Sequence, residues 1–249
     1  MWTDAANSSS EVLLLAVAPL GLAGPLPPGF GDALRLSLIV ASCATAGCVV
    51  VGVPLAWALS SRRPSPLATV VEWLVLLPLV LPPTVVGWLL IELLGRRGLG
   101  SFLERLGVPL LFTLRGAVVA SAVVALPLLV LPLRAALQSL DPLMRDAGRI
   151  DGAGAVTRAW RIELPLVRGA LLAAVTLCFA RAIGEFGATI MVAGCMPGRT
   201  ETLPLAVWSA MASGRSEQAL GPALALVGLA ALVAAIQRGL LRGVTAARR

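Results

Sequence analysis

Residues 111–137 read LFTLRGAVVASAVVALPLLVLPLRAAL, with charge confined to Arg115 near one end and Arg134 near the other. An α-helix needs about 20 residues to cross the ~30 Å hydrocarbon core of a bilayer, and a soluble domain asks for no apolar run of that length. The stretch therefore reads as a spanning helix. Comparable blocks run from about 33 to 60, 67 to 94, 169 to 193 and 220 to 241. The fold class that follows is an all-α integral membrane protein with five core transmembrane helices. A sixth candidate, residues 12–23, is short and is followed by Pro25, Pro27 and Pro28, which suits a full span poorly. The polar start, Met1 to Glu11, lacks the basic region of a cleavable signal peptide. The expected organisation is an N-terminal segment over 1–32, a transmembrane domain over 33–241 that includes a loop segment at 138–168, and a basic tail over 242–249.

Composition agrees with this reading. The chain is 58% hydrophobic and 13% charged, where a soluble domain is roughly a quarter charged. A net charge of +7 could serve a nucleic acid, but the arginines sit between the apolar blocks, as the positive-inside bias requires. If segment 138–168 faces the cytosol, that side holds Arg62, Arg63, Arg134, Arg145, Arg149, Arg158, Arg161, Arg168, Arg238 and the C-terminal arginines. The other side holds Arg35, Arg96, Arg97, Arg105, Arg115, Arg199 and Arg215. The bias favours a cytosolic loop and C-terminus, and no nucleic-acid partner.

All 20 basic residues are arginine, with no lysine and no histidine. A P-loop needs its lysine, and Ser-His-Asp triads and histidine zinc sites need histidine, so none of these is available. The chain is expected to be no enzyme by itself and to carry no metal or cofactor. Cys43, Cys48 and Cys178 lie inside apolar blocks, where cysteine packs as a small hydrophobe, and no CxxC spacing occurs. Pro78, Pro82 and Pro83 interrupt one span and Pro127 and Pro132 another. Each removes a helix hydrogen bond that must be made good inside the bundle or along a water-lined cavity.

Between the third and fourth blocks lies SLDPLMRDAGRIDGAGAVTRAWRIELPLVRG, residues 139–169. Asp141-Pro142 is a strong helix start, with a capping carboxylate and then a residue whose missing N–H costs nothing in the first turn. Gly152-Ala153-Gly154 breaks that helix, and a second amphipathic stretch leads through Leu164-Pro165 back into the membrane. A short helix held at both ends by spanning helices suits docking to a soluble partner. The segment resembles the cytosolic signature of ABC importer permeases, E-A-A, three residues, G, nine residues, I-x-L-P. Here it reads Asp146-Ala147-Gly148, then Gly152, then Ile162-Glu163-Leu164-Pro165 at the same spacing, with Asp for Glu and Gly for the second Ala. The resemblance implies a type I permease bundle whose coupling helix sits in a groove of a cytosolic ABC ATPase. Asp146, Ala147, Gly148, Arg149, Asp151, Gly152, Ala153, Leu164 and Pro165 are its coupling residues.

Two further stretches bear on the substrate. Residues 177–206, LCFARAIGEFGATIMVAGCMPGRTETLPLA, look like the molybdate permeases and are close to the sulfate permeases. Residues 76–98, with Val80-Leu81-Pro82-Pro83 and Gly95-Arg96-Arg97-Gly98, are similar to molybdate permeases in particular. Arg181 and Glu185 are four apart on one helix face and can pair. An ionic pair within the membrane is a functional candidate by default, either drawing an oxyanion at a gate or locking helices together. Gly184 and Gly187 permit close helix approach, at a dimer seam, at a moving gate or in ordinary packing. With Pro82 and Pro83 these residues form the candidate gate. A turn is expected at Pro197-Gly198-Arg199-Thr200, on the outer side. By the resemblance it lies near a docked oxyanion-binding protein.

The implied assembly is a permease homodimer in the bacterial inner membrane, with two ATPase subunits on the cytosolic side and a soluble binding protein outside, importing molybdate or tungstate. One alternative is a sulfate or thiosulfate permease. Another is a stand-alone secondary transporter or channel, which should show more internal repetition and leaves the Gly152 to Leu164-Pro165 spacing unexplained.

Overall fold

The first apolar block forms helix α1, Phe30–Leu59, in the computed structural model, which describes residues 27–61, 65–95, 98–141 and 154–246, with side chains as far as residue 240. Its 30 residues give a rod of about 45 Å at 1.5 Å per residue, longer than the ~30 Å core it must cross. The second block is not one helix but two, α2 (Pro66–Val80) and α3 (Pro83–Leu94). Ser65 begins α2 by accepting a hydrogen bond from Ala68 N at 3.2 Å, with Pro66 in the first turn. Leu81 is extended (ψ 145°), and Pro82 and Pro83 bring no N–H, so the helix stops and restarts there. A short helix α4, Gly100–Arg105, follows.

Helix α5, Leu114–Gln138, is capped by Thr113, whose hydroxyl accepts from Gly116 N at 3.3 Å. It runs on through Pro127 and Pro132. Of the two proline sets expected to interrupt spans, only Pro82-Pro83 divides its helix.

The fourth block departs from a single span over 169–193. A surface segment enters it through one α-helical turn (Ala155–Arg158), a π-helical turn (Ala159–Glu163) and a last turn at Leu164–Leu166. It then bends by 83° into α6, Arg168–Ile183. Helix α6 ends at Gly184, and a separate helix α7 covers Gly187–Ala193. Glu185 helps the chain restart as a separate helix: its carboxylate reaches forward to accept from Ala188 N at 2.8 Å, satisfying one of the orphan amides that open α7. Helices α8 (Leu203–Ala212) and α9 (Leu220–Ala246) complete the chain, joined by a 3₁₀ turn at Ser216–Ala219.

Among the described residues the chain is helix and turn with no strand. Three helices among the described residues are long and apolar enough to cross a membrane alone, α1, α5 and Ser216–Leu240, and the pair bent at Val167 makes a fourth if it counts as one span. The principal core joins α1, α5 and α6. Ala41, Ala44, Cys48 and Ala56 of α1 meet Ala125, Leu129, Leu133 and Leu137 of α5 and Ala174, Cys178 and Ala182 of α6. The small residues on α1 let the backbones approach closely, which is how helices associate where lipid offers no hydrophobic drive. A second core sets Val86, Leu90 and Leu94 of α3 against Ala188 and Val192 of α7 and Ala120 and Val124 of α5. Along α2 and α3 the apolar residues Leu67, Val70, Trp73, Leu74, Val80 and Trp88 remain exposed, a surface fit for lipid or for another apolar face.

Candidate functional site

Three places collect the residues singled out from sequence. The first is the arginine-rich face. Asp146, Ala147, Gly148, Arg149, Asp151, Gly152 and Ala153 lie outside the described residues, so the described part of the coupling segment is the return leg. There Leu164 is buried and Pro165 exposed, one residue beyond the π-helical turn. Glu163 is buried, 3% exposed. A carboxylate so deeply placed is tolerated only when its oxygens are satisfied, and its Oε2 accepts from the indole Nε1 of Trp57 at 2.9 Å. Trp57 stands in the last turn of α1, where its carbonyl accepts from Ser60 Oγ at 2.8 Å. Two residues on, the Leu59 carbonyl accepts from Arg134 Nε at 3.0 Å, and Arg134 Nη1 pairs with Glu72 of α2. The last turns of α1 and α5, the middle of α2 and the surface segment are thus tied by side chains that sequence reading left out of any site. Single acidic residues, Glu72 and Glu163, in otherwise apolar or basic surroundings were the available signal.

The second place is where the two broken spans meet. Arg181 and Glu185 do pair, Nη1 to Oε2 at 2.6 Å. The arrangement is a charge contact rather than an aligned hydrogen bond, because Oε2 makes no bond of hydrogen-bond geometry. The Glu185 side chain is 1% exposed and that of Arg181 28%. The carboxylate therefore has two tasks at once, holding the guanidinium with one oxygen and capping α7 with the other. Gly187 is pressed against the α2–α3 joint: a Cβ there would lie 2.9 Å from Pro83 Cβ and 3.2 Å from Thr84 N. One turn further, Gly87 faces Ala188 and Met191 just as tightly. Pro83 and Gly87 on one side and Gly187 and Ala188 on the other so form one seam, with Pro82 exposed at its edge. Gly184 is exposed, and no atom but Ala180 O, at 3.7 Å, approaches the place of its missing Cβ. Close packing therefore belongs to Gly187 and not to Gly184. Below the seam Ser121 of α5 and Thr189 of α7 stand 3.4 Å apart, both buried.

The third place is the opposite face, where a turn at Pro197–Thr200 forms as expected, with Gly198 at φ 69° supplying the left-handed residue. Pro197, Gly198 and Arg199 are exposed. Thr200 is turned inward, 1% exposed; its hydroxyl accepts from Met196 N at 3.1 Å and donates to Gly194 O at 3.3 Å. It holds the turn's shape, leaving surface contact to the other three. Behind the turn, Cys195 Sγ lies 3.7 Å from Glu201 Oε1. Burial, and then the Glu201 charge, push this thiol up to about 11. Beside it a cavity of about 190 Å³ is lined by Pro28, Phe30, Pro197, Glu201, Ser209 and Arg215. Among the described residues no cluster of three or more potential ligands could hold a metal.

Comparison with known proteins follows the same outline. Residues 49–246 match the family model described as binding-protein-dependent transport system inner membrane component. The molybdenum transport system permease protein ModB of Escherichia coli K12 is 41% identical over 180 residues, 72% of this chain and 78% of that protein. ModB of Mycobacterium tuberculosis H37Rv is 39% identical over 207 residues, 83% of this chain and 78% of its own length. Among solved structures, a chain of a bacterial alginate ABC transporter in complex with an alginate pentasaccharide-bound periplasmic protein superposes with a TM-score of 0.70. The match covers 95% of this chain and 89% of that one at 16% identity, which speaks for the fold.

Proposed function

Because the chain belongs to the binding-protein-dependent transport system inner membrane component family, with the all-α type I permease fold, we propose that it is the membrane-spanning permease of an ATP-driven importer of molybdate, and of tungstate as its close analogue. The observation that carries this reading is identity near 40% to molybdenum permeases over 72–83% of the chain. The chain itself carries out no covalent step. Two copies would form the pathway, two cytosolic ABC ATPases would bind beneath, and a soluble oxyanion-binding protein would dock outside, in a bacterial inner membrane.

In this mechanism the segment Asp146 to Ala153 is the coupling helix and the Leu164-Pro165 leg returns its motion to α6. Closure of the ATPases on nucleotide pushes the coupling helices and turns the pathway from inward- to outward-facing. The Arg181–Glu185 pair and the Pro83–Gly187 seam act as gate and lock, while Pro197, Gly198 and Arg199 meet the binding protein. Tetrahedral dianions of similar size are sorted chiefly by that binding protein. Arginine-only basic loops fit this orientation, with the 138–168 segment inside.

The test is reconstitution with the partner ATPase and binding protein, following molybdate uptake against competitors. Uptake blocked by tungstate and resistant to excess sulfate is expected; the reverse pattern makes this a sulfate or thiosulfate permease. Gly152→Trp should leave membrane insertion intact and uncouple transport from ATP turnover. Transport at full speed without any ATPase would identify a secondary carrier instead.

A further inference from the structure

We infer that Trp57 is a positioning residue for transport, and that its hydrogen bond to Glu163 carries movement of the surface segment to the inner end of α1. The inference rests on the permease reading above. Glu163 occupies the last place of the π-helical turn Ala159–Glu163, four residues before the 83° bend at Val167 that leads into α6. A π-turn holds one residue more than the α-helix around it and commonly marks a functional irregularity. Any push on the surface segment has this bend as its pivot. From the turn just ahead of this pivot, Glu163 reaches across 106 residues of sequence to Trp57, at 2.9 Å. A charge-assisted bond of this kind is among the strong ones.

What lies behind Trp57 gives the contact its consequence. Helix α1 packs along both α5 and α6 through the principal core. Its last carbonyl, on Leu59, is held by Arg134 of α5, which also grips Glu72 of α2. Displacing Trp57 therefore moves the end of a helix whose inner tip is already clamped to two other helices. Leu164 beside it is packed into the same core, but an apolar contact can slide, whereas a directional bond cannot lengthen by an ångström and survive. The ring of Trp57 is itself packed against this core, so its indole N–H can be removed while most of the apolar contact is kept.

The experiment uses the complete complex, permease with ATPase and binding protein, in proteoliposomes, and reads molybdate taken up per ATP hydrolysed. Trp57→Phe should insert, melt somewhat below the wild type because the buried Glu163 carboxylate loses a donor, keep its ATP turnover, and lower uptake per ATP by about fivefold, the scale on which one lost coupling bond shifts a two-state equilibrium. In a Glu163→Leu background, Trp57→Phe should then add little, as for two ends of one link. Spin labels on the exposed Ser61 and Arg161 give a readout that needs no substrate. Their separation should stay narrow through nucleotide binding in the wild type and broaden in Trp57→Phe. An unchanged uptake-to-ATP ratio, fully additive effects of the two substitutions, or identical label distances would each overturn the link. A wild-type complex that hydrolyses ATP and moves no molybdate would overturn the substrate reading alone, leaving the label distances to decide the link.

Discussion

Gly87 of α3 lies so close to the backbone of α7 that a Cβ on it would stand 3.0 Å from Ala188 Cα and 3.1 Å from Ala188 O. Backbone atoms cannot turn aside as a side-chain end can. Gly87→Ala should therefore prise the seam apart, at about 1–3 kcal/mol for overpacking, and lower the melting temperature in detergent. Gly184→Ala, with nothing nearer than Ala180 O at 3.7 Å, should melt like the wild type. Equal melting of the two variants would show that the seam yields freely.

Glu185 serves Arg181 and the first turn of α7 together. Glu185→Leu strands both a guanidinium and a buried amide and should cost about 1–3 kcal/mol or more. Glu185→Gln retains an oxygen for Ala188 N and forfeits only the charge contact, so its loss should be distinctly smaller. Chemical unfolding of the two purified variants in detergent separates them. Indistinguishable unfolding would mean that the cap contributes nothing.

Cys195 holds its proton to about pH 11, through burial and the Glu201 carboxylate. Only the thiolate alkylates, so at pH 8 iodoacetamide should modify Cys195 far more slowly in the folded protein than after unfolding, and raising the pH should narrow the gap. Glu201→Gln should bring the apparent pKa down. Peptide mass spectrometry after timed labelling makes the measurement, and rapid labelling of the native protein at pH 8 would refute the assignment.

Thr200 and Arg199 are neighbours with opposite exposure, the first buried and the second open. Thr200→Val removes two hydrogen bonds inside the turn and should cost about 1–2 kcal/mol of stability. Arg199→Glu, exposed, should leave melting unchanged and, under the proposed function, weaken association with the soluble binding protein in a salt-dependent manner. Thermal unfolding beside a binding titration at two ionic strengths tests both halves.

Sequence reading reached the helical class because block length alone decides it, and it reached the α2–α3 joint because Pro82-Pro83 can neither donate nor continue a helix. The turn at Pro197–Thr200 was legible for a similar reason, the Pro-Gly pair. The break after α6 was not, since 169–193 is apolar almost throughout and the start of α7 depends on a single carboxylate that caps it from two residues ahead. Helix α8 escaped notice because its 10 residues fall short of a span. The ties between Trp57 and Glu163 and between Arg134 and Glu72 span 106 and 62 residues. Which acid meets which donor at such range follows from how the helices are laid together, and no local pattern encodes that.

The paired prolines between α2 and α3 have a mechanical corollary. Neither Pro82 nor Pro83 has an amide hydrogen to offer back across the joint, while Val85 and Val86 already bond to the Pro82 carbonyl. Rotation about Leu81 would turn α3 like a door on its pin, leaving the coils on either side wound. In an oily solvent, where every exposed amide is penalised, such a swivel is one of the few ways a membrane rod can bend repeatedly without first coming undone.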